Sequence, residues 1–145
     1  MPEILHQLLI HAPVPTVYEA ISTREGLSHW WTQDVRGEPA VGQVLNFGFN
    51  QRATDFRMEV LLLEPGRRVR WRCLDGHPEW AGTEIEFALT AADPNTLLRF
   101  HHQRWLWRDG LLAQCSFDWA RYLMSLRQLV ETGAGTPHTG VGGMS

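Results

Sequence analysis

Residues Asp109 to Thr132, with the sequence DGLLAQCSFDWARYLMSLRQLVET, form the longest segment of helical periodicity in the chain. Apolar residues recur there at intervals of three and four, which is the spacing of one face of an α-helix. The members of this apolar stripe are Leu112, Cys115, Trp119, Tyr122, Leu123, Leu126, Leu129 and Val130. Polar residues, among them Gln114, Asp118 and Ser125, occupy the opposite face. The pattern predicts an amphipathic helix that needs a large apolar surface to cover its stripe.

The ends of this helix carry recognisable signals. Asp109 is placed to act as the N-cap, with Ser116 as the alternative start, and Gly133 lies where a C-terminal glycine cap is expected. At 1.5 Å per residue the helix would be roughly 30 to 35 Å long, which is enough to cross a small domain.

Between Val41 and Arg104 the periodicity changes to two residues, which is the period of a β-strand with one buried face. Another short apolar run, residues 3–11, predicts a first strand. Short turns between successive strands predict an antiparallel sheet with one dry face and one wet face. The inward positions of the five later strands are Leu45, Phe47 and Phe49; Phe56, Met58, Val60 and Leu62; Val69, Trp71 and Cys73; Ile85, Phe87 and Leu89; and Leu98, Phe100 and His102.

The outward positions of two neighbouring strands carry opposite charges. Arg68, Arg70 and Arg72 precede Glu84 and Glu86, so adjacent strands can pair unlike charges across the solvent face. Two carboxylates at this spacing also occur in acid–base sites, but the alternation directs both glutamates away from the interior. We therefore interpret them as partners of the arginines.

The remaining segments complete the predicted architecture. Residues 13–22 and 24–31 predict two short helices, the second of which turns Trp30 and Trp31 towards an apolar surface. We predict an α+β domain over residues 1–133, with a curved antiparallel sheet of six to seven strands wrapped around one long C-terminal helix. Residues 134–145 are rich in Gly and Thr and are predicted to form a flexible tail.

Composition excludes several classes of function. The chain has 145 residues, of which 43% are hydrophobic, which fits one domain with a substantial core. Its 13 basic residues are all arginine, which excludes a lysine Schiff base or lysine nucleophile. A net charge of −3 without a basic run offers no surface for nucleic acid. No apolar segment approaches the length of a membrane span and no signal-peptide pattern is present, so we expect a soluble cytoplasmic protein.

Motifs for metal or cofactor binding are absent from the sequence. It contains no HExxH, no CxxC and no glycine-rich phosphate loop, so we expect neither a metal nor a cofactor. Cys73 and Cys115 are expected to be reduced and buried. His101 and His102 are adjacent on one strand and therefore point to opposite faces. His102 shares the apolar face, where both a hydrogen-bonded core histidine and an acid–base histidine remain open.

The inward aromatic residues are the candidate ligand-binding set. Large aromatic side chains fill cores, but a strongly curved sheet over one helix is hard to fill completely, so we expect an apolar cavity with polar groups at its mouth. The predicted ligand-binding residues are Trp30, Trp31, Phe47, Phe56, Met58, Trp71, Phe87, Phe100, His102, Cys115, Trp119 and Tyr122. The predicted polar mouth consists of His102, Tyr122, Arg104 and Asp55, and the predicted gate of His77, Glu79 and Trp80.

Several stretches of the chain resemble the helix-grip fold of the START-like (SRPBCC) superfamily. They are APVPTVYEAIST with GLSHWW, VGQVLNF, MEVLLLEPGRRVRWRC, WAGTEIEFAL with NTLLRFHH, and DWARYLMSLRQLVETG. Within that superfamily the chain most resembles the family named after activators of the ninety-kilodalton heat-shock protein ATPase. The last helix of that family often opens with Gly-Trp, whereas Asp118 precedes Trp119 here.

The resemblance implies functions of three classes. Carriers in the superfamily imply binding of a hydrophobic small molecule, lipid-like or aromatic, without catalysis. Polyketide cyclases imply an enzyme in which His102 or Tyr122 moves a proton. Co-chaperones imply a protein-interaction domain with a chaperone as partner, and a homodimer is also left open. The residues favour the first class, because the aromatic interior lacks a catalytic constellation.

Overall fold

The computed structural model describes residues 2–139 and confirms the α+β helix-grip architecture. One antiparallel sheet of seven strands, in the order β1-β7-β6-β5-β4-β3-β2, curves around the C-terminal helix. The elements in chain order are β1 (Ile4–Ile10), α1 (Val14–Ser22), α2 (Arg24–Ser28), β2 (Asp34–Gly37), β3 (Val44–Phe49), β4 (Thr54–Glu64), β5 (Arg68–Asp75), β6 (Glu84–Ala92), β7 (Asn95–Gln103) and α3 (Leu112–Thr132).

Strand β4 contains a bulge that reverses its buried face. Val60 pairs with Trp71, as the alternation predicts, but the next pairs are Leu62 with Arg70 and Leu63 with Val69. An extra residue in one strand turns every later side chain to the opposite face. The prediction that Leu62 faces inward is therefore wrong, and Leu63 packs against the core instead.

The predicted charge ladder is present on the outer face of the sheet. Arg70 Nη2 lies 2.6 Å from Glu86 Oε1, and Arg72 Nη2 lies 3.5 Å from Glu84 Oε2. The same residues are partners in the β5–β6 register. Partly exposed pairs of this kind add little free energy of folding. Their effect is to disfavour a shifted register, because a slip of one residue would place these charged side chains opposite residues of the apolar face.

Strand β2 was not anticipated, because Gly37 and Pro39 indicate a chain break. The strand has only four residues and no apolar alternation, yet it pairs with β3 along its whole length. Gly37 has a φ of 109°, and a Cβ there would collide with the carbonyl of Val44. Glycine thus permits the close approach that ends the strand.

The start of α3 differs from its prediction. Asp109 is not the N-cap: the cap position is Leu111, which has no capping side chain. The carboxylate of Glu79 takes this role from a distant loop, since its Oε1 accepts the Leu111 N–H at 2.9 Å. The C-terminal prediction is confirmed, because Gly133 adopts φ 94° and donates its N–H to Leu129 O at 2.7 Å.

The segment that follows α3 packs against the domain as far as the structure describes it. His138 donates its N–H to Trp31 O and accepts the Gln33 N–H, each at 2.9 Å. Ser125, predicted to face solvent, is buried because its Oγ accepts the Thr136 N–H at 2.8 Å. Residues 140–145 of the predicted tail lie outside the described residues, and the domain boundary at residue 133 stays a prediction.

Helix length and hydropathy bear on membrane insertion. In the described part of the chain, no helix combines the length and apolar character that crossing a bilayer requires.

Removing buried side-chain volume from α3 will test its packing against the sheet. Leu126 is fully buried, so Leu126→Ala should lower the free energy of unfolding by about 2–5 kcal/mol. Leu106→Ala is the matched control, since Leu106 is 65% exposed, and should change it by less than about 1 kcal/mol. Urea unfolding followed by circular dichroism measures both values. Equal effects would contradict the burial of the apolar stripe.

Candidate functional site: an aromatic cavity beside the long helix

A cavity of about 160 Å³ lies beside the N-terminal half of α3. It is bounded by this helix, by the ends of β3 and β4 that face each other across their turn, and by the loop between β5 and β6. Six of its twelve lining residues are Trp, Phe or Tyr, and polar side chains lie among them. The lining residues are Trp31, Phe49, Thr54, Phe56, His77, Trp80, Leu111, Gln114, Cys115, Asp118, Trp119 and Tyr122.

The aromatic wall is held by contacts between its own rings. Phe56 and Trp80 stack with ring centroids 4.1 Å apart and an interplanar angle of 28°. Trp80 also stacks on Trp119 at 6.1 Å, and Trp119 meets Trp31 at 5.0 Å. Such contacts add to the stabilisation from burial and fix ring orientation. The wall is therefore formed before any ligand arrives.

The two cysteines are buried free thiols, as predicted. Cys115 lies in the cavity wall, where its Sγ accepts the Trp80 indole N–H at 3.3 Å. Burial raises the pKa of Cys115 to about 11 and that of Cys73 to about 12. Because the thiolate is the nucleophilic form, neither residue is activated for chemistry at neutral pH.

His102 is buried in the core, where it belongs to a continuous series of hydrogen bonds. Trp119 Nε1 donates to His102 Nδ1 at 3.1 Å, and His102 Nε2 lies 2.8 Å from Thr83 Oγ1. The Thr83 hydroxyl donates to Trp80 O at 2.6 Å, so the proton on the histidine is assigned to Nε2, which donates to Thr83. Both ring nitrogens are therefore occupied.

This environment keeps His102 neutral. Burial lowers the pKa of His102 to about 3, because the charged imidazolium would lose its hydration. A second ring proton would also point at the Trp119 N–H, which is itself a donor. His102 is not part of the cavity lining, so its observed role is to connect α3 to β7 and to the β5–β6 loop.

Tyr122 brings a hydroxyl group to the cavity. Burial raises its pKa to about 12; the guanidinium of Arg121 opposes this shift, and the Asp118 carboxylate adds to it. The phenol therefore keeps its proton at neutral pH. No hydrogen bond of the Tyr122 hydroxyl is found among residues 2–139, and the residue lines the cavity.

Asp118 adds a carboxylate to the lining. Its Oδ1 accepts hydrogen bonds from Arg121 Nη2 and Gln114 Nε2, both at 3.1 Å. Arg121 also lies over the Tyr122 ring, with its Cζ 5.6 Å from the ring centroid. The charge of this carboxylate is thus paired.

The structure separates the predicted ligand-binding residues into two groups. Those that line the cavity are Trp31, Phe56, Cys115, Trp119 and Tyr122. Those that lie in the packed core around it are Trp30, Phe47, Met58, Trp71, Phe87, Phe100 and His102, each no more than 1% exposed. Ligand contact by the second group stays a prediction.

The predicted mouth and gate residues mostly have other roles. Arg104 is exposed and lies 3.5 Å from Glu84, while Asp55 pairs with Arg52 at 3.1 Å, and neither lines the cavity. Trp80 is part of the wall, and its loop neighbour Glu79 caps α3, as described above. His77 lines the cavity beside them.

Some lining residues escaped the sequence reasoning. Leu111, Gln114 and Asp118 lie at one margin of the apolar stripe, together with Cys115 and Tyr122. The spacing of 111, 115, 118 and 122 is the signal that could have found this margin. A helical wheel places the polar residues Gln114 and Asp118 in solvent, because it does not show where the sheet leaves space beside the helix.

The fold defines the class of protein. A seven-stranded antiparallel sheet around a C-terminal helix is the architecture of a START-like (SRPBCC) helix-grip domain. The family described as "Activator of Hsp90 ATPase homolog 1-like protein" matches residues 11–131, and the chain belongs to this family. The resemblance found in the sequence is thereby confirmed.

Solved structures extend this assignment. The solution structure of the Aha1 dimer from Colwellia psychrerythraea is 34% identical, with a TM-score of 0.84, over 93% of this chain and 100% of that one. CalU16 from Micromonospora echinospora is 20% identical, with a TM-score of 0.76, over 92% of this chain and 76% of that one. DynU16, a putative protein of the dynemicin biosynthetic locus, is 23% identical, with a TM-score of 0.75, over 92% of this chain and 48% of that one. The last two show the shared fold alone. No curated protein matches the chain.

The neutral state of His102 predicts a specific acid sensitivity. The pKa of His102 is about 3 in the folded chain and about 6.5 when unfolded, so unfolding takes up a proton in acid. Its contribution to stability is complete above pH of about 6.5 and is lost as the pH falls towards 3, by up to about 1.4 kcal/mol per pH unit. Urea unfolding at several pH values measures this slope.

Two variants isolate the histidine. His102→Gln cannot titrate and should reduce the slope between pH 6.5 and 4, whatever stability it loses at pH 7. His29→Gln is the control, because His29 is exposed, and should keep the wild-type slope. An unchanged slope in His102→Gln would contradict the neutral buried state.

Proposed function

We propose that the protein binds a hydrophobic small molecule about the size of one aromatic ring, without catalysis, in the cavity between α3 and the sheet. The observation that carries this proposal is a space of about 160 Å³ in whose wall six aromatic residues pack against one another. Apolar concave sites with few polar groups are the usual form of small-molecule sites in proteins.

The volume favours an aromatic ligand over a lipid-like one. An engineered apolar cavity of about 150 Å³ in another protein holds benzene. Pockets for larger ligands span about 300 to 1,000 Å³. A cavity of about 160 Å³ is therefore matched by a single ring with a small substituent, and an extended acyl chain would leave most of its length outside.

The polar lining favours a ligand with one hydrogen-bonding group. Tyr122 lines the cavity and its hydroxyl keeps its proton at neutral pH, so we infer that it donates a hydrogen bond to a ligand oxygen. The Asp118 carboxylate can accept a hydrogen bond from a ligand through Oδ2, because Gln114 and Arg121 both donate to Oδ1. A phenol offers both functions in one substituent.

The polyketide cyclase alternative receives no support from this geometry. His102 has both nitrogens occupied and a pKa of about 3, and Tyr122 has a pKa of about 12, so neither group exchanges protons readily near neutral pH. CalU16 and DynU16 share the fold at identities of 20% and 23%, which carries no reaction across to this chain.

Self-association is a second candidate function. The relative at 34% identity is an Aha1 dimer, and this chain exposes several large apolar side chains, including Leu5 at 58% and Phe117 at 61%. We propose that the chain forms a homodimer. The outer charge ladder does not favour a chaperone as partner, because its arginines are paired with its own glutamates.

Ligand titrations will test the cavity. Phenol and p-cresol should bind with saturation in ligand-observed NMR and isothermal titration, whereas a long-chain fatty acid should not. Thr54→Leu adds bulk to the cavity lining and should weaken p-cresol at least tenfold. Thr90→Leu makes the same change at an exposed position of β6 and should leave binding unchanged. Failure of every ring-sized probe to bind at millimolar concentration would refute the proposal.

A further variant separates the hydrogen bond from the shape of the cavity. Tyr122→Phe should weaken p-cresol by about 0.5–1.5 kcal/mol, the usual value of one neutral hydrogen bond, while leaving toluene unaffected. Equal losses for the two ligands would show that the hydroxyl does not contact the ligand.

A further inference from the structure

The first strand leaves one side of its backbone unpaired. β1 (Ile4–Ile10) is at one end of the sheet and pairs along its whole length with β7. No other backbone-to-backbone hydrogen bond of this strand is found among residues 2–139. Every second N–H and C=O of an edge strand points away from the sheet, and these groups can pair with another strand.

The two edges of the sheet are protected very differently. At the opposite edge, β2 has four residues, including the ion pair of Asp34 with Arg36 at 3.2 Å, and the chain just before it pairs with His138. β1 has seven residues, ILHQLLI, with no Asp, Glu, Arg, Lys or Pro, and exposes Leu5 by 58% and Leu9 by 41%. A long, uncharged, apolar edge is a template for pairing with a strand of another chain.

The sequence of this edge is complementary to itself. If two copies pair antiparallel about Gln7, Ile4 faces Ile10 of the second copy, Leu5 faces Leu9, and Gln7 faces Gln7. The flanking residues then place Glu3 opposite His11, which unites a carboxylate with an imidazole at each end. His6 then faces Leu8, and no pair in this register places like charges opposite each other. An interface of this kind has a twofold axis and closes as a dimer.

We propose that β1 pairs with β1 of a second copy of this chain, in antiparallel register centred on Gln7, to give one continuous fourteen-stranded sheet of two seven-stranded halves. This inference rests on the self-association proposed above and names its surface. It is independent of the ligand cavity, whose lining contains no residue of β1.

Helix α3 extends the same surface on the inner side of the sheet. The His6 ring lies 3.0 Å from Ser116 O, and the Glu131 carboxylate accepts the His11 N–H at 2.7 Å, so α3 runs beside β1. Phe117 and Met124 are exposed on this helix by 61% and 49%.

Cross-linking at the twofold axis tests the register. In the proposed dimer the two copies of residue 7 have Cβ atoms about 5 Å apart, so Gln7→Cys should be joined efficiently by a short bis-maleimide reagent. The native Cys73 and Cys115 do not compete, because both are buried with raised pKa values. Thr90→Cys, at an exposed position two strands further in, places its sulfurs at least about 24 Å apart and should not cross-link.

Charge placed on the edge tests the surface independently. The double variant Leu5→Lys, Leu9→Lys should shift the protein to the monomer in sedimentation velocity, with at least a tenfold weaker association. Val41→Lys is the control, because Val41 is 59% exposed in the connection between β2 and β3 at the opposite end of the sheet, and this variant should remain dimeric. Because the substituted side chains are exposed, thermal unfolding of the monomer should be preserved, which shows that the fold is retained.

The outcomes separate the two proposals. A wild-type chain that is monomeric up to high micromolar concentration would overturn both self-association and β1 pairing. A dimer that survives the double lysine variant, with no cross-linking through residue 7, would leave self-association standing and overturn the β1 interface. Monomeric lysine variants together with Gln7→Cys cross-linking establish it.

Discussion

The structure depends on the burial of one apolar stripe of α3 against the dry face of the sheet, and Trp119 is at the centre of that contact. Its ring meets Phe100 at 4.5 Å and Trp31 at 5.0 Å between centroids, while its indole N–H donates to His102. The residue thus joins a strand, the loop after α2 and the long helix. Since the burial of large aromatic side chains supplies much of the stability of a core, these elements are stable only together.

The polar chain inside this core explains how a histidine can be buried at all. An unpaired buried imidazole would lose its hydration without compensation. Here Trp119, Thr83 and the Trp80 carbonyl supply a continuous set of donors and acceptors. These hydrogen bonds also hold the loop between β5 and β6 in place. The Trp80 ring of this loop forms part of the cavity wall. The buried polar contacts and the shape of the site therefore depend on each other.

The cavity follows from packing wide, rigid rings around the N-terminal half of α3. Rings held in stacked pairs, such as Phe56 with Trp80, cannot rearrange to fill the remaining space. Asp118 and Tyr122 of α3 line the remaining space. Their polar groups do not fill it, because they would lose hydration there. A similar constraint acts at β1, where the edge remains unpaired because the sheet curves around the helix without closing on itself.

Periodicity alone determined the long helix, the strands β3 to β7, their inward residues and the outward charge ladder, because each depends on a local repeat of side chains. Its failures have physical causes. The bulge that exchanges Leu62 for Leu63, the Glu79 cap of α3 and the burial of Ser125 each depend on contact with another segment of the chain, which the repeat within one segment does not show. The site was predicted as a full aromatic interior, and only the tertiary packing decided which rings line a cavity and which are core. Where space remains is a property of how elements meet, and no single segment of the sequence carries it.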